Sequence, residues 1–595
     1  MALLMVVVAM MTGCASNGNN TGTTTGSAAG NATTQQQTTA PAKREVLTAR
    51  ILRFAVNLDN VDGVNNDRIK KFLEDKFSIK IEYVSALADA FKNKITTSMA
   101  TGEVYDIIND FYFGAWSGVD IDKDTWKKWI DQGMLTDISE IVNKDPSKYS
   151  ALKKQLDDPV FKMYSDICNF GTGKDYCLFT LGYGANKGFY DGYQWNKKYL
   201  DAVGAQLPTT WDEFANVLRA IKAGDPDGNG KKGDTIPFSF RTYKGTNNTA
   251  DFQTLFSAYG LPTAAVKTGK RTAIVDGKAV DLATSDITKQ CWTMLNQWAL
   301  EGLLDKEAVT QDPDYAFMDK FAAGKIAGVG YAIPNNSNSQ YLNYWNNTIK
   351  KANPSVKPAD YPISQPLKGP AGLPTYSWVT QSPAYITFIP KESKCADRMV
   401  ELLDYLSTTE GQNLLWYGVE GVSYTKNADG TIFFNEDEYR KDATNVYFKN
   451  APNRFEYPML DTQTTQQEYI DYDKYNSWYE AYNNSYTIMD ERGVAKDDAY
   501  NAITSYMTEW IPQIFKERPA FEAAMNYSDA DSAIDKKLTD ITNKYTSKWL
   551  TGSAKVADTW DAYVAELKAA GLDTLTQRTL EVYNTAKATY DKYVK

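Results

Sequence analysis

Histidine is absent from all 595 residues. That single gap removes Ser/His/Asp and Cys/His catalysis, histidine general bases and histidine-ligated zinc. What survives of enzyme chemistry is chiefly a carboxylate pair of the glycosidase kind, which 74 acidic residues neither exclude nor locate. A basic excess is missing too: 64 Lys and Arg against those acids give a net charge of -10. With a pI near 5.0, no stripe stands ready to neutralise phosphates, so no nucleic-acid partner is expected. No apolar run reaches the length of a bilayer span, and the longest, Ala2 to Met11, has the length of a signal-peptide apolar region. Cysteine is scarce, and Cys14, Cys168, Cys177, Cys291 and Cys395 make no zinc knuckle. Cys168 and Cys177 flank "NFGTGKDY", which reads as a hairpin turn. A disulfide across that turn and two small buried apolar side chains are both open.

What is present is a large folded chain. Its length exceeds one ordinary core, so two or more lobes are expected, and 43% hydrophobic residues with abundant Tyr and Trp are normal for a globular protein. Residues 15–45 are Asn, Gly, Thr, Ser and Gln with almost no large apolar side chain, so burial cannot offset the entropy of ordering and a flexible tether is expected. From Ala49, "ARILRFAVN", "NNDRIKKFLEDKF", "IKIEYV", "LADAFKNKITTSMATGE" and "YDIIND" alternate short β-rich runs with amphipathic helices. This is the pattern of βαβ units and a mainly parallel sheet covered by helices. Ligands of open α/β sheets bind beyond the carboxyl ends of the strands, which makes Asp110, Tyr112 and Trp116 first candidates. From about Asp497 to the end the chain reads as mostly amphipathic helix, "TWDAYVAELKAAG" closing on Gly571.

"AGDPDGNGKKGDTIPF" places Asp225, Asp227 and Asn229 at alternate positions, then Gly230, then Asp234. Oxygen ligands so spaced wrap a hard cation, the glycine permitting the sharp turn that brings later oxygens round. A solvated Asp/Asn/Gly turn is the plain alternative. The preceding "TTWDEFANVLRAIK" carries a Thr N-cap with Glu213 three residues after Thr210, so a helix should run straight into the loop and a strand, "TIPFSF", should leave it.

Several segments together resemble the extracellular solute-binding lipoproteins of bacterial ABC sugar importers, family 1 type, in the branch with a calcium loop. They are "GYQWNKKYLDAVGAQLPTTWDEF", "GDPDGNGKKGDTIPF", "WALEGLLDKE", "FAAGKIAGVGY", "YITFIPKESKCADRMVELLDYLSTTEGQNLLWYGVEGVSY" and "SKWLTGSAKVADTWDAYVAELKAAGLD". "MTGC" resembles their lipobox, although the basic stretch that usually opens a signal peptide is missing. A buried N-terminal segment is the plain alternative there. The resemblance implies an α/β fold of the periplasmic-binding-protein kind, two lobes each built on a mainly parallel sheet flanked by helices, with an extra helical C-terminal region. It implies a signal peptide over 1–14 with lipid on Cys14, the tether, a first lobe over 46–175 with a return segment about 355–405, a second lobe over 176–354, and a mostly helical continuation of the second lobe over 406–595.

The implied function is capture of an oligosaccharide in the interlobe cleft and delivery to an ABC permease, with no bond made or broken. The implied protein is a monomer, lipid-anchored at the outer face of a Gram-positive cytoplasmic membrane. A structural Ca2+ would be held by Asp225, Asp227, Asn229, the Lys231 carbonyl and Asp234. Relatives resemble "DPDGNGKKDEIPF", so Gly233 stands as an insertion and leaves open whether Asp234 reaches the ion. Sugars need flat apolar faces and hydroxyl-bonding polar groups. By position these are Asp110, Tyr112, Trp116, Tyr183 in "TLGYGAN", Arg241 and Tyr243 after the loop, Tyr331, Trp378 and Glu420. Tyr331 is chosen because the family run resembling "GKIAGVGY" ends on a stacking aromatic, but Tyr and Trp serve packing as readily. A surface glycoside hydrolase and a non-transport adhesin or sensor are the other readings.

Overall fold

The computed structural model describes residues 44–54, 68–111 apart from 87, 121–182, 190–241, 250–262, 271–310, 316–333, 345–411 apart from 380 and 381, and parts of 414–434 and 505–594. Cys14 and the tether, apart from its last two residues, lie outside them. Val46–Lys595 form one compact unit.

The first lobe grows from the expected alternation. Strand β1 (Leu47–Phe54) pairs in parallel with β2 (Ile79–Ala86) and with β3 (Ile107–Phe111), and helices α1 (Arg68–Phe77) and α2 (Ala88–Thr101) supply the crossovers. On α1, Ile69, Leu73 and Phe77 recur at helical spacing and are buried, which is what seats that helix on the sheet. Two further strands complete the order β2-β1-β3-β11-β4. Both β4 (Cys177–Gly182) and β3 pair antiparallel to β11 (Ser382–Phe388), so β11 alone runs against the others. α3 (Lys123–Asp131) and α4 (Pro159–Cys168) flank this sheet, with Trp126 edge-on to Phe388 and Phe161 tilted on Phe179.

The second lobe is built on a three-stranded sheet, β5 (Tyr190–Trp195), β9 (Ile326–Ile333) and β6 (Ile236–Phe240), in the order β5-β9-β6. Helix α5 (Trp211–Ala223) forms where its cap predicts: Thr210 accepts from Glu213 N at 3.2 Å. The Glu213 carboxylate reaches back one residue further than a capping box requires, to Thr209 N at 2.8 Å. A hairpin of β7 (Thr272–Val275) and β8 (Lys278–Asp281) and helix α7 (Asp286–Leu300) extend the lobe. Helices α8 (Asp529–Thr551) and α9 (Val556–Ala569) share its core through Leu538, Trp549 and Tyr563.

Three boundaries differ from the sequence expectation. β4 belongs to the first sheet, so the first lobe extends past residue 175 to Gly182. The stretch around 362–368 still lies on the second lobe, where Ser364 N bonds Tyr193 O at 2.8 Å and Lys368 N bonds Thr209 O at 2.9 Å. The return begins only at β10 (Tyr376–Val379) and β11. The C-terminal part also contains a strand: Phe515–Arg518 forms β14, parallel to β10, where a four-residue run inside a helix-like composition gave no period to read. A short hairpin, β12 (Tyr424–Lys426) with β13 (Ile432–Phe434), precedes it.

The last helix, α10 (Leu572–Tyr593), is not a continuation of the second lobe alone. Leu572 and Leu575 enter the second-lobe core, whereas Ala586 is in the first-lobe core and Tyr583, Tyr590 and Tyr593 pack against it. At 22 residues it is long enough, about 33 Å, to reach both. Phe521 meets Tyr583 and Tyr590 at 5.2 and 5.3 Å, and Lys592 pairs with Asp166 of α4 at 3.0 Å.

"NFGTGKDY" is not a β-hairpin. It joins the end of α4, where Cys168 stands, to the start of β4 at Cys177, and both cysteines are buried free thiols. A helix-to-strand connection does not set the two residues opposite each other across a ladder, so the small buried side chain is the arrangement observed. Burial also pushes the thiols of Cys177, Cys291 and Cys395 up, Cys395 to about 11. The thiolate is the nucleophile, so the folded protein should resist iodoacetamide at pH 8 and take it up at residues 168, 177, 291 and 395 in denaturant without reductant. A mass two units short, with two of these sites unlabelled, would show a disulfide.

Candidate ligand-binding site

Among the described residues, the carboxyl edge of the second sheet carries a buried polar cluster. β6 and β9 run parallel with Phe240 opposite Gly330, so the next residues, Arg241 just past the end of β6 and Tyr331 still within β9, stand at neighbouring backbone positions. The sequence named both by position, and the fold brings their backbones together. Tyr331 pairs with Gly192 of β5; its side chain lies outside the described residues.

Arg241 is 4% exposed and Asp251 is fully buried. Asp251 Oδ2 accepts the Arg241 backbone N–H, and Oδ1 lies 3.7 Å from the guanidinium Nη2. Asp251 is held in turn. Its carbonyl accepts from the Tyr193 hydroxyl at 2.9 Å, and that hydroxyl also meets Thr254 Oγ1 at 2.6 Å. The space for it comes from the glycines of "GVGY": a Cβ at Gly330 would stand 3.2 to 3.4 Å from Phe238, Asp251 and Tyr193, and one at Gly328 would meet Trp195 at 2.7 Å. The glycines therefore let aromatic rings and a carboxylate close over the strand. A second carboxylate beside β6, Asp305, accepts from Ser239 Oγ at 2.8 Å and is 3.5 Å from Lys320.

On the first lobe, Asp110 lies at the carboxyl end of β3, fully buried. Its Oδ2 accepts from Ile121 N at 3.0 Å, which ties the end of the segment that leaves β3 to the strand it left. One residue earlier, Asn109 Nδ2 donates to Thr387 Oγ1 across to β11 at 2.9 Å. Tyr112, Trp116, Tyr183 and Tyr243 lie outside the described residues. Trp378 lies on β10, its backbone opposite Glu517 of β14. Thr375, just before that strand, exchanges two bonds with Ser257 at 3.0 and 2.8 Å, which fastens the returning chain to helix α6 (Gln253–Ala258).

Glu420 is not brought to these groups. It is exposed and accepts from Tyr424 at 3.3 Å, in the neighbourhood of Tyr405. Tyr405, on Ala396–Leu406, packs tilted against Phe77 at the entry to β2, the end of the first sheet opposite to Asp110. The sequence reading passed over Asp251, Thr254 and Gly330. Only the glycine left a signal, in its spacing with Gly328.

The Asp-rich loop lies between α5 and β6. Asp225 accepts the backbone N–H groups of Gly228, Asn229 and Gly230 at 3.1, 3.1 and 2.9 Å. Asn229 Nδ2 bridges Asp227 Oδ2 at 2.9 Å and Asp234 Oδ2 at 2.8 Å. Asn229 Oδ1 accepts from Lys231 N at 2.8 Å. Gly233 has φ +76°, and its N–H bonds Gly224 O while its carbonyl accepts from Lys222 Nζ at 2.7 Å. The extra glycine is thus absorbed against the end of α5, and Asp234 still faces the loop. The chemistry of the set, three carboxylates and amide oxygens, fits a hard cation. Among the described residues no three Cys, Asp or Glu side chains converge as a ready ion cage. Hydrogen bonds to the turn hold the Asp225 carboxyl below its usual range against the opposing effect of burial.

The family model for bacterial extracellular solute-binding protein matches residues 64–413. The fructooligosaccharide ABC transporter substrate-binding protein FusA of Streptococcus pneumoniae is 28% identical over 259 residues, 42% of this chain and 43% of that protein. The match therefore spans less than half of the relative's length. Among solved structures, an HMO-binding ABC-transporter-associated solute-binding protein of Bifidobacterium longum infantis is 19% identical with a TM-score of 0.60, covering 90% of this chain and 98% of that one. An EF-hand mutant of pneumococcal FusA in complex with fructo-nystose is 19% identical with a TM-score of 0.58, covering 91% of this chain and 99% of that one. At such identities the structural likenesses speak for the fold, a two-lobed α/β architecture with a helical C-terminal region.

Proposed function

This chain belongs to the bacterial extracellular solute-binding protein family, and we propose that it captures an oligosaccharide between its lobes and delivers it to the permease of an ABC transporter. The observation that carries this reading is the span of the family match, which runs through both sheets and the crossings between them rather than through one lobe. The similarity to a fructooligosaccharide-binding protein supports a sugar as cargo. In this reading Tyr331 and Trp378 are the residues assigned to stack on the sugar, and Arg241 with the polar groups around it is assigned to its hydroxyls. Tyr112, Trp116, Tyr183 and Tyr243 belong to the same proposal. The polar groups at the two edges favour binding over cleavage. Asp110 is engaged by Ile121 N and Asp251 by Arg241 N, which leaves neither in the solvated acid and base pairing that glycoside hydrolysis uses. A thermal-shift screen against neutral oligosaccharides tests it: a ligand at 100 times its Kd should stabilise the protein by about 2.7 kcal/mol. No shift with any sugar would count against it.

Ca2+ is proposed as a structural ion on Asp225, Asp227, Asn229, the Lys231 carbonyl and Asp234. When bound, it would supply charge that draws the carboxylates together and fixes α5 to β6. An EF-hand in the related FusA supports this. Chelation should lower the melting temperature and weaken sugar binding only as a secondary effect; an unchanged melting temperature with and without EDTA would overturn it. The N-terminal segment is proposed as a lipoprotein leader with lipid on Cys14 and residues 15–45 as the tether. That places a monomer at the outer face of the membrane. Among the described residues no helix is long and apolar enough to cross one.

A further inference from the structure

Among the described residues, two buried carboxylates beside β6 each stand against a cationic side chain. Arg241, the first residue past the strand, is 4% exposed, and its partner Asp251 is fully buried. Asp251 bonds the Arg241 backbone with one oxygen and faces its guanidinium at 3.7 Å with the other. Asp305 on the neighbouring segment is 3% exposed and lies 3.5 Å from Lys320. A buried charge pair presents a dipole instead of a net charge, and in a poorly solvated site that difference decides which ligand charge is tolerated.

Asp251 is also placed with unusual care. The Tyr193 hydroxyl, itself bonded to Thr254, holds its backbone carbonyl, and Gly330 gives it room, a Cβ there being 3.3 Å from the Asp251 Cβ. We propose that Asp251 is a selectivity-determining positioning residue: by fixing and neutralising Arg241 it makes this edge of the cleft select neutral oligosaccharides and reject uronates. The inference rests on the sugar-capture reading and adds to it the charge class of the sugar and the residue that sets it.

With the Asp251 charge removed, the positive charge of Arg241 would be less balanced and would attract a carboxylate, which a guanidinium can meet as a bidentate donor. Asp251 removes that option through a repulsive element rather than an added contact. The consequence is a selectivity ratio, which a purely structural role would leave alone.

The test measures Kd by calorimetry for kestose, maltotriose, cellotriose and mannotriose against trigalacturonate, in about 0.15 M salt so that distant charges are screened. For the native protein the best neutral trisaccharide should bind at least about tenfold more tightly than trigalacturonate. In Asp251→Asn that ratio should fall by about tenfold or more, and adding Arg241→Gln should restore the neutral preference. If Asp251→Asn does not fold, the native ratio and the double variant still decide. Trigalacturonate binding the native protein as tightly as any neutral probe, or an unchanged ratio in a folded Asp251→Asn, would overturn the proposal. Failure of every probe to bind the native protein would instead remove the sugar reading, and this proposal with it.

Discussion

Replacing Asn296 by leucine should destabilise the protein by about 3–5 kcal/mol, because three backbone groups, two of them in fully buried bonds, lose a side-chain partner at once. Asn296 lies on α7 and is 3% exposed. Its Nδ2 donates to Trp549 O at 2.8 Å and to Ala554 O at 2.9 Å, and its Oδ1 accepts from Val556 N at 3.0 Å. These groups belong to the turn between α8 and α9, which Gly552 makes in the left-handed region at φ +70°. A leucine of similar volume keeps the packing but satisfies none of the three. The loss should concentrate in the C-terminal helices, so amide exchange in 529–569 should accelerate before that of β1 to β3. Urea unfolding within about 1 kcal/mol of the native protein would show that the amide is not the pin its geometry describes.

The second large effect separates stability from binding on a single strand. Gly328→Ala drives a methyl group into the wall of Trp195, 2.7 Å from Cε3 and 2.8 Å from Cζ3, with Phe238 at 3.1 Å. Both rings are buried, so the cost should reach about 3 kcal/mol, the upper part of the range for overpacking. Gly330→Ala meets softer neighbours, at 3.2 to 3.4 Å, one of which is Asp251. Its cost in stability should be about 1 kcal/mol, while displacing Asp251 and Arg241 should weaken sugar binding at least about tenfold. Urea unfolding and calorimetry on both variants check the pair. Equal losses of stability, with binding intact in Gly330→Ala, would contradict the assignment of Gly330 to the site.

Local signals carried much of the fold. The β-rich and helical runs after Ala49 gave β1, α1, β2, α2 and β3 because period and length are properties of consecutive residues. Thr210 announced the start of α5 in the same way, and "DPDGNG" announced a turn organised by carboxylates. What the sequence left hidden is non-local. Asp251 sits in an ordinary "TADFQ" run, and its role arises only when Arg241 N–H and the bare Cα of Gly330 come to it. Asp110 was legible as a residue at a strand's carboxyl end, yet what it does in the fold, closing on Ile121, could not be read from spacing. β14 was hidden because its pairing partner lies far away at β10. Glu420 illustrates the converse: a carboxylate in a family-like segment, set by the fold at the opposite end of its lobe.

Capture without chemistry is the central claim, and calorimetric titration with product analysis on the same sample addresses it most directly. The account predicts saturable one-site heat with a neutral oligosaccharide and recovery of that sugar intact after prolonged incubation. Cleaved sugar, or no saturable binding across the panel, would contradict it.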